Sequence, residues 1–230
     1  MSTQIRNVVL VHGGFVDGSG WQAVHRLLTA DGLNVTAVQN PTLSLDGDVE
    51  ATRFILDDLD GPAVLVGHSY GGAVITEAGT HDNVAALVYI AAFAPDKGES
   101  VNTLISGFPT DGPQPPILPP RAGWLFLDRS KFAGSFAADL PAADAAFLAD
   151  SQVPWNVAAL GGVVTEPAWR SKPAFYLVAT DDHMIPPPAQ RTMAARVGAV
   201  TTEAIGSHAV YVSQPGAVAD LIRQAANTDR

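Results

Sequence analysis

Cysteine is absent from the 230 residues, which excludes disulfides, thiolate nucleophiles and Cys-ligated zinc. That absence fits a reducing compartment. Basic residues are scarce: 13 Lys and Arg stand against 23 Asp and Glu, a formal net charge of -10. A field of that sign repels phosphate backbones and anionic bilayers, so neither nucleic acid nor a membrane is an expected partner. No run of like charges stands out, and no apolar stretch is long enough to cross a bilayer. The strand-like NVVLVH beginning at Asn7 leaves no room for a signal peptide. The expectation is a soluble, cytoplasmic protein. Disorder is equally unsupported, since 47% of residues are hydrophobic and 16% charged. Internal repeats and an inter-domain linker are missing too, so residues 1–230 read as a single domain, of the size α/β domains commonly reach (about 200–250 residues).

What is present is a rhythm. Short apolar, β-branched runs (7–12, 34–38, 63–67, 85–91, 174–180 and 200–205) alternate with helical patterns at 21–30, 47–59, 73–80, 189–197 and 216–226. Runs apolar on both faces are what parallel strands covered by helices require. The alternation predicts a mostly parallel, doubly wound sheet of about six strands with right-handed crossovers and helices on both faces. Residues 93–172 break the rhythm. They hold no comparable strand signal, six prolines between Pro109 and Pro120, and then Ala-rich stretches with Trp124, Trp155 and Trp169. An insertion this long with that many aromatics reads as a folded cap or lid over the sheet. A polyproline ligand for a recognition module is the lesser reading.

The segment VLVGHSYGGAV, Val64–Val74, ends a strand on a serine between glycines and then starts a helix. Ser69 on such a tight turn is held strained, with its hydroxyl above the sheet. Side chains at Gly67 and Gly71 would collide with the neighbouring strand and helix. The helix starting at Tyr70 adds backbone N–H groups and a positive dipole end.

A serine nucleophile needs a base, and the base needs a carboxylate. His208, in IGSHAVYVSQP after the last strand, lies at the same sheet edge as Ser69. His183, after the preceding strand, is a weaker rival. His25 and His81 read as surface residues, and His68, adjoining the serine, as a brace for the turn. Asp181 and Asp182 follow the strand before His208, and Asp182 is preferred because the apolar Met184, Ile185 and then Pro186 form the loop after it. Nucleophile, acid and histidine in that order match one known arrangement. A tetrahedral oxyanion needs two N–H donors. Tyr70 supplies one, and the glycine-rich turn LVHGGF supplies the other, with Gly14 preferred over Phe15. Four elements at the ends of four strands coincide with the edge where such sheets bind ligands.

On VLVHGGFVDGSGW, LVGHSYGGAV, YLVATDDHMIPPPAQ and GSHAVYVSQP, nearly the whole chain resembles the α/β-hydrolase family. It is most similar to its small cap-bearing group of methylesterases, carboxylesterases and hydroxynitrile lyases. The resemblance implies a Ser69–His208–Asp182 triad, an oxyanion hole from Gly14 and Tyr70, and a substrate pocket under the cap. The lyases carry threonine where Gly13 stands and lysine where Ala209 stands, so the resemblance favours an esterase. The family's sheet often has eight strands, whereas this chain opens on its third.

The reaction then expected is attack by Ser69 on an ester carbonyl, acylation, and hydrolysis of the acyl-enzyme, with neither metal nor cofactor. Phe15, Phe93, Trp124, Phe126, Trp155 and Met184 are the candidate pocket residues. They point to a small to medium, largely uncharged ester as the small-molecule partner. The net negative charge disfavours polyanionic thioesters, although a local basic patch, for which Arg121, Arg129 and Lys131 in the cap are candidates, would override this. Two other readings use the same residues: a lyase or cofactor-free oxygenase, and a ligand-binding protein with negligible turnover. Oligomeric state is not written in the sequence, because exposed patches are set by the tertiary structure.

Overall fold

Along each central strand, successive side chains face opposite cores. Val8, Leu10, Val64 and Val66 pack on one side of the sheet, and Val9, Val11 and Leu65 on the other. The computed structural model describes residues 5–108 and 114–227. The first half runs β1 (Asn7–Val11), α1 (Gln22–Ala30), β2 (Asn34–Val38), α2 (Leu45–Asp57), β3 (Ala63–His68), α3 (Gly71–Ala78) and β4 (Val84–Ile90). An excursion follows: α4 (Val101–Ser106), β5 (Trp124–Leu125), α5 (Arg129–Phe136), α6 (Ala142–Asp150), β6 (Trp155–Asn156) and α7 (Val157–Leu160). The chain closes with β7 (Ala174–Ala179), α8 (Pro187–Arg196), β8 (Val200–Ala204), α9 (Val210–Ser213) and α10 (Pro215–Ala226).

Six strands form one parallel sheet in the order β2-β1-β3-β4-β7-β8, the count and direction expected from the rhythm of the sequence. Residues of α1 and α10 build one core, and those of α2, α3 and α8 the other. The chain leaves β1 toward β2 and then returns to place β3 on the other side of β1. The crevice above β1 and β3 is therefore the topological switch point, where ligands of such sheets bind.

Burial on both faces holds for β1, β3 and β7 throughout and for β4 at all but Ala85, yet not for β2 or β8. These two are the edges. In β8 the exposed Thr201, Thr202 and Glu203, with Arg191 bonded to the Glu203 carboxylate at 2.7 and 2.8 Å, leave little apolar edge for another strand to pair with.

The excursion ties itself to the loops at the C-terminal ends of the strands. Val153 N–H donates to Phe15 O, Asn156 N–H to Thr42 O, and Ala209 N–H to Phe136 O. The described part of the proline run is folded against residues 126–128, with Leu118 N–H bonded to Phe126 O and Asp128 N–H to Pro116 O. Those prolines are not displayed as a free polyproline arm; Pro109 and Pro113 lie outside the described residues.

Gly72 shows which local preference loses. Alanine is the better helix former by about 1 kcal/mol, but a Cβ on Gly72 would lie 2.1 Å from the carbonyl oxygen of Phe93. Backbone cannot yield cheaply, and overpacking of this kind costs about 1–3 kcal/mol. Gly72→Ala is expected to lower unfolding free energy in urea despite its higher helix propensity; an equal or higher value would show that the α3–Phe93 contact has slack.

Candidate active site

Ser69 follows β3 and has φ 53°, a left-handed conformation that a non-glycine residue occupies only when its surroundings impose it. They do so by close approach. A Cβ on Gly67 would lie 2.5 Å from Gly71 O, and one on Gly71 would lie 2.6 Å from Val11 O. The turn then enters α3, whose preceding residue Tyr70 has an N–H without an intrahelical acceptor.

Three side chains from three loops meet here. Ser69 Oγ lies 2.9 Å from His208 Nε2, and His208 Nδ1 lies 2.8 Å from Asp182 Oδ2. The carboxylate only accepts, so Nδ1 carries the proton and Nε2 accepts from the serine hydroxyl. His208 and Asp182 are buried, while Ser69 keeps 8% of its surface exposed. Asp182 is held from both sides: Oδ1 accepts from the N–H groups of Met184 (2.7 Å) and Ile185 (2.9 Å), and Oδ2 also accepts from Gln190 Nε2 (2.8 Å). Gln190 is itself fixed, since its Oε1 accepts from Ala179 N–H at 3.1 Å and Nε2 reaches Ile185 O at 2.8 Å. Asp181 and His183, the rival residues, are exposed to solvent.

His68 braces the histidine loop rather than the serine turn alone. Its Nε2 donates to His208 O at 2.9 Å, and its ring packs 4.3 Å from Tyr211 and 4.7 Å from His208. Burial, reinforced by the nearby His208 ring, holds His68 well below the usual imidazole range, so it stays neutral. His12 does comparable work under the glycine-rich turn. Its Nδ1 bonds Gly13 O at 2.8 Å, its Nε2 accepts from Asn40 N–H at 2.8 Å, and Asn40 Nδ2 donates to His12 O. Burial lowers the His12 pKa as well.

Gly14 lines the space above Ser69 and is seated under an indole, since a Cβ there would lie 2.7 Å from Trp155 Cδ2. This space of about 340 Å³, partly open to solvent, is bounded by Phe15, Phe93, Trp155 and Met184, as anticipated, and also by Ile105, Pro115, Ile117 and Ile185. Trp124 and Phe126 are not there. They line a shallow outer hollow with Arg121 and Pro154. The reason is strand alternation: Leu125 and Leu127 turn inward and are buried, which sends their neighbours to the opposite face. None of Arg121, Arg129 and Lys131 lines the space above Ser69: Arg121 is at the outer hollow, Arg129 pairs with Asp150 and Lys131 sits 3.8 Å from Asp128.

Three contributors escaped the sequence reading: Gln190, Asn40 and Asp48. Asp48 lies in the first turn of α2, where an acid is ordinary helix chemistry, and nothing local marks it as different. In the fold its Oδ2 accepts from Tyr70 Oη at 2.5 Å and its Oδ1 from Thr42 N–H at 2.7 Å. Burial outweighs both bonds and pushes the carboxyl from 3.8 up to about 6. Burial, then the Asp48 charge, raises Tyr70 in turn.

The raised Asp48 value has a defined sign. The folded protein holds this proton more tightly than the unfolded chain, so the stabilisation is complete below pH about 4 and is lost as pH rises through about 6. Relative to Asp48→Asn, which does not titrate, the wild type is expected to lose up to about 3 kcal/mol of unfolding free energy between pH 4 and 7. Parallel stability curves for the two proteins would contradict this.

Residues 8–221 match the model of the Alpha/beta hydrolase family. A pyrethroid hydrolase of Sphingobium wenxiniae is 29% identical over 247 residues, spanning 95% of this chain and 86% of that protein. A carbendazim hydrolyzing esterase of a Nocardioides species is 35% identical over 146 residues, 53% of this chain and 52% of its own length. In three dimensions, the crystal structure of a pyrethroid hydrolase from Sphingobium faniae superposes with a TM-score of 0.83, at 26% identity, over 97% of this chain and 98% of that one. With the sheet, the serine turn and the match all coinciding over the same residues, the chain belongs to the alpha/beta hydrolase family.

Proposed function

We propose that this protein is a serine hydrolase of small to medium, largely uncharged carboxylic esters, acting through an acyl-enzyme. The observation that carries the reading is the continuous hydrogen-bonded line Asp182–His208–Ser69, opening into an apolar pocket. Relatives named for hydrolysing a pyrethroid and carbendazim support the reaction type.

In this reading His208 Nε2 takes the Ser69 proton as Oγ attacks the ester carbonyl. Asp182 stabilises the imidazolium while the Met184, Ile185 and Gln190 donors keep the carboxylate in place. The Tyr70 and Gly14 N–H groups receive the oxyanion. His208 then protonates the departing alcohol, and water repeats the sequence on the acyl group. The excursion between β4 and β7 acts as a cap: its Trp155 and Ile117 roof the pocket with apolar surface, which favours uncharged acyl and alcohol groups. A lyase reading is disfavoured by two positions. A threonine at Gly13 would begin with a Cβ 2.7 Å from Ser69 Cβ, and Ala209, where a lysine would be needed, is buried.

Ser69→Ala is expected to lower kcat/KM on p-nitrophenyl esters by on the order of 10⁴–10⁶ with little change in melting temperature. Retained turnover by a folded variant would remove the assignment. Gln190→Ala tests the support of the acid: kcat falls roughly tenfold to a hundredfold while KM hardly moves, since only the alignment of the line is disturbed. A change confined to KM or to stability would reduce Gln190 to a packing residue.

A further inference from the structure

Beside the pocket over Ser69 lies a larger hollow of about 910 Å³, between α4 and α8. The two spaces share their walls. From α4, Ile105 lines the pocket and Leu104 the hollow; from the segment after Asp182, Ile185 lines the pocket and Pro188 the hollow. The third wall is a pair of rings. Phe93 faces the pocket, Phe108 faces the hollow, and their centroids are 6.2 Å apart at an interplanar angle of 4°. Phe93 is buried, whereas Phe108 is only half-buried and follows Gly107 at the end of α4.

We propose that this hollow is a second chamber of the substrate site, which takes the distal apolar part of an extended ester whose carbonyl sits at Ser69, with Phe108 as the partition. The proposal rests on the hydrolase reading and narrows its substrate class to esters with a long or bulky apolar arm. The chemistry of the hollow suits that occupant. Leu104, Phe108 and Met193 supply apolar surface, and the charges present, Glu99 and Arg196, satisfy each other at 2.9 Å. An uncharged chain therefore meets no unpaired charge there, while a carboxylate or ammonium arm would have to break that pair. Adjacency to the Ser69 pocket, with one ring pair between the two spaces, is what separates this hollow from an ordinary surface depression.

The test uses p-nitrophenyl esters from acetate to dodecanoate and reads the ratio of kcat/KM for long over short chains within each protein. Phe108→Ala, which opens the partition, is expected to raise that ratio roughly tenfold. Thr192→Phe, which fills the hollow from the exposed face of α8, is expected to lower it by a similar factor. Ratios in both variants within about twofold of wild type would overturn the chamber. Affinity separates this from the hydrolase reading. On Ser69→Ala protein, calorimetry with alkyl trifluoromethyl ketones of four to twelve carbons should show roughly fourfold tighter binding per added methylene, abolished by Thr192→Phe. Absence of serine-dependent turnover with that chain-length dependence intact would remove the hydrolase and keep the chamber. Affinity flat with chain length would remove the chamber whatever the turnover.

Discussion

Ser69 stands at φ 53°, a conformation that costs a residue with a side chain about 1–3 kcal/mol, and backbone-on-backbone contact holds it there. β3 meets the start of α3 through Gly67, α3 meets β1 through Gly71, and α3 meets the chain after β4 through Gly72. Phe93 N–H closes the arrangement by donating to Ser69 O at 3.0 Å. Side chains at any of the three glycines would force backbones apart, and the serine hydroxyl would leave the line of His208. The chemistry of the site is thus downstream of a steric fact about glycine.

Each loop that meets at Ser69 is then fixed by a buried polar side chain. His12 and Asn40 secure the turn after β1, Gln190 secures the acid loop after β7, and His68 secures the backbone of His208. These bonds matter because an unsatisfied polar group in such a setting costs more than its bond contributes. Every hydrogen-bond partner of the Asp182 carboxylate is a donor, so both of its oxygens are held in place. Asp48 lies only one side chain away from the turn, through Tyr70, and there burial outweighs its two donors and raises the carboxyl.

The excursion between β4 and β7 places an apolar wall over the C-terminal ends of the strands. Trp155 is central to it, packing edge-on to Phe15 at 5.3 Å and against Tyr70 at 5.0 Å while covering Gly14. The same residue that roofs the pocket therefore explains why position 14 admits no side chain. The walls of the pocket are apolar, the ion pair at the neighbouring hollow is internally satisfied, and the negative field of the whole chain repels anions.

Much of this was legible in the sequence because the signals are local. Strand-then-helix periodicity located six strands, and G-x-S-x-G between a strand and a helix marked the turn at Ser69. Strand ends followed by Asp182 and His208 marked the loops whose side chains now lie 2.8 Å apart. Other features depend on pairs distant in the chain, and no local pattern encodes them. Asp48 is an ordinary helix-start acid until Tyr70 arrives from 22 residues away. Gln190 is an unremarked helix residue until α8 packs beneath the acid loop. Trp124 and Phe126 were aromatics of the expected cap, yet pairing of β5 with β6 turned Leu125 and Leu127 inward and them outward. β2 and β8 looked like strands buried on both faces, yet β2 is mostly half-buried and β8 mostly exposed, because only the strand order decides which strands are edges. The sequence by itself determined the sheet, the turn and the side chains that its strand ends present, since backbone sterics and periodic burial act over a few residues. The tertiary structure alone decided which polar groups are buried together and how the pocket is walled, since both are set by packing between elements far apart in the chain.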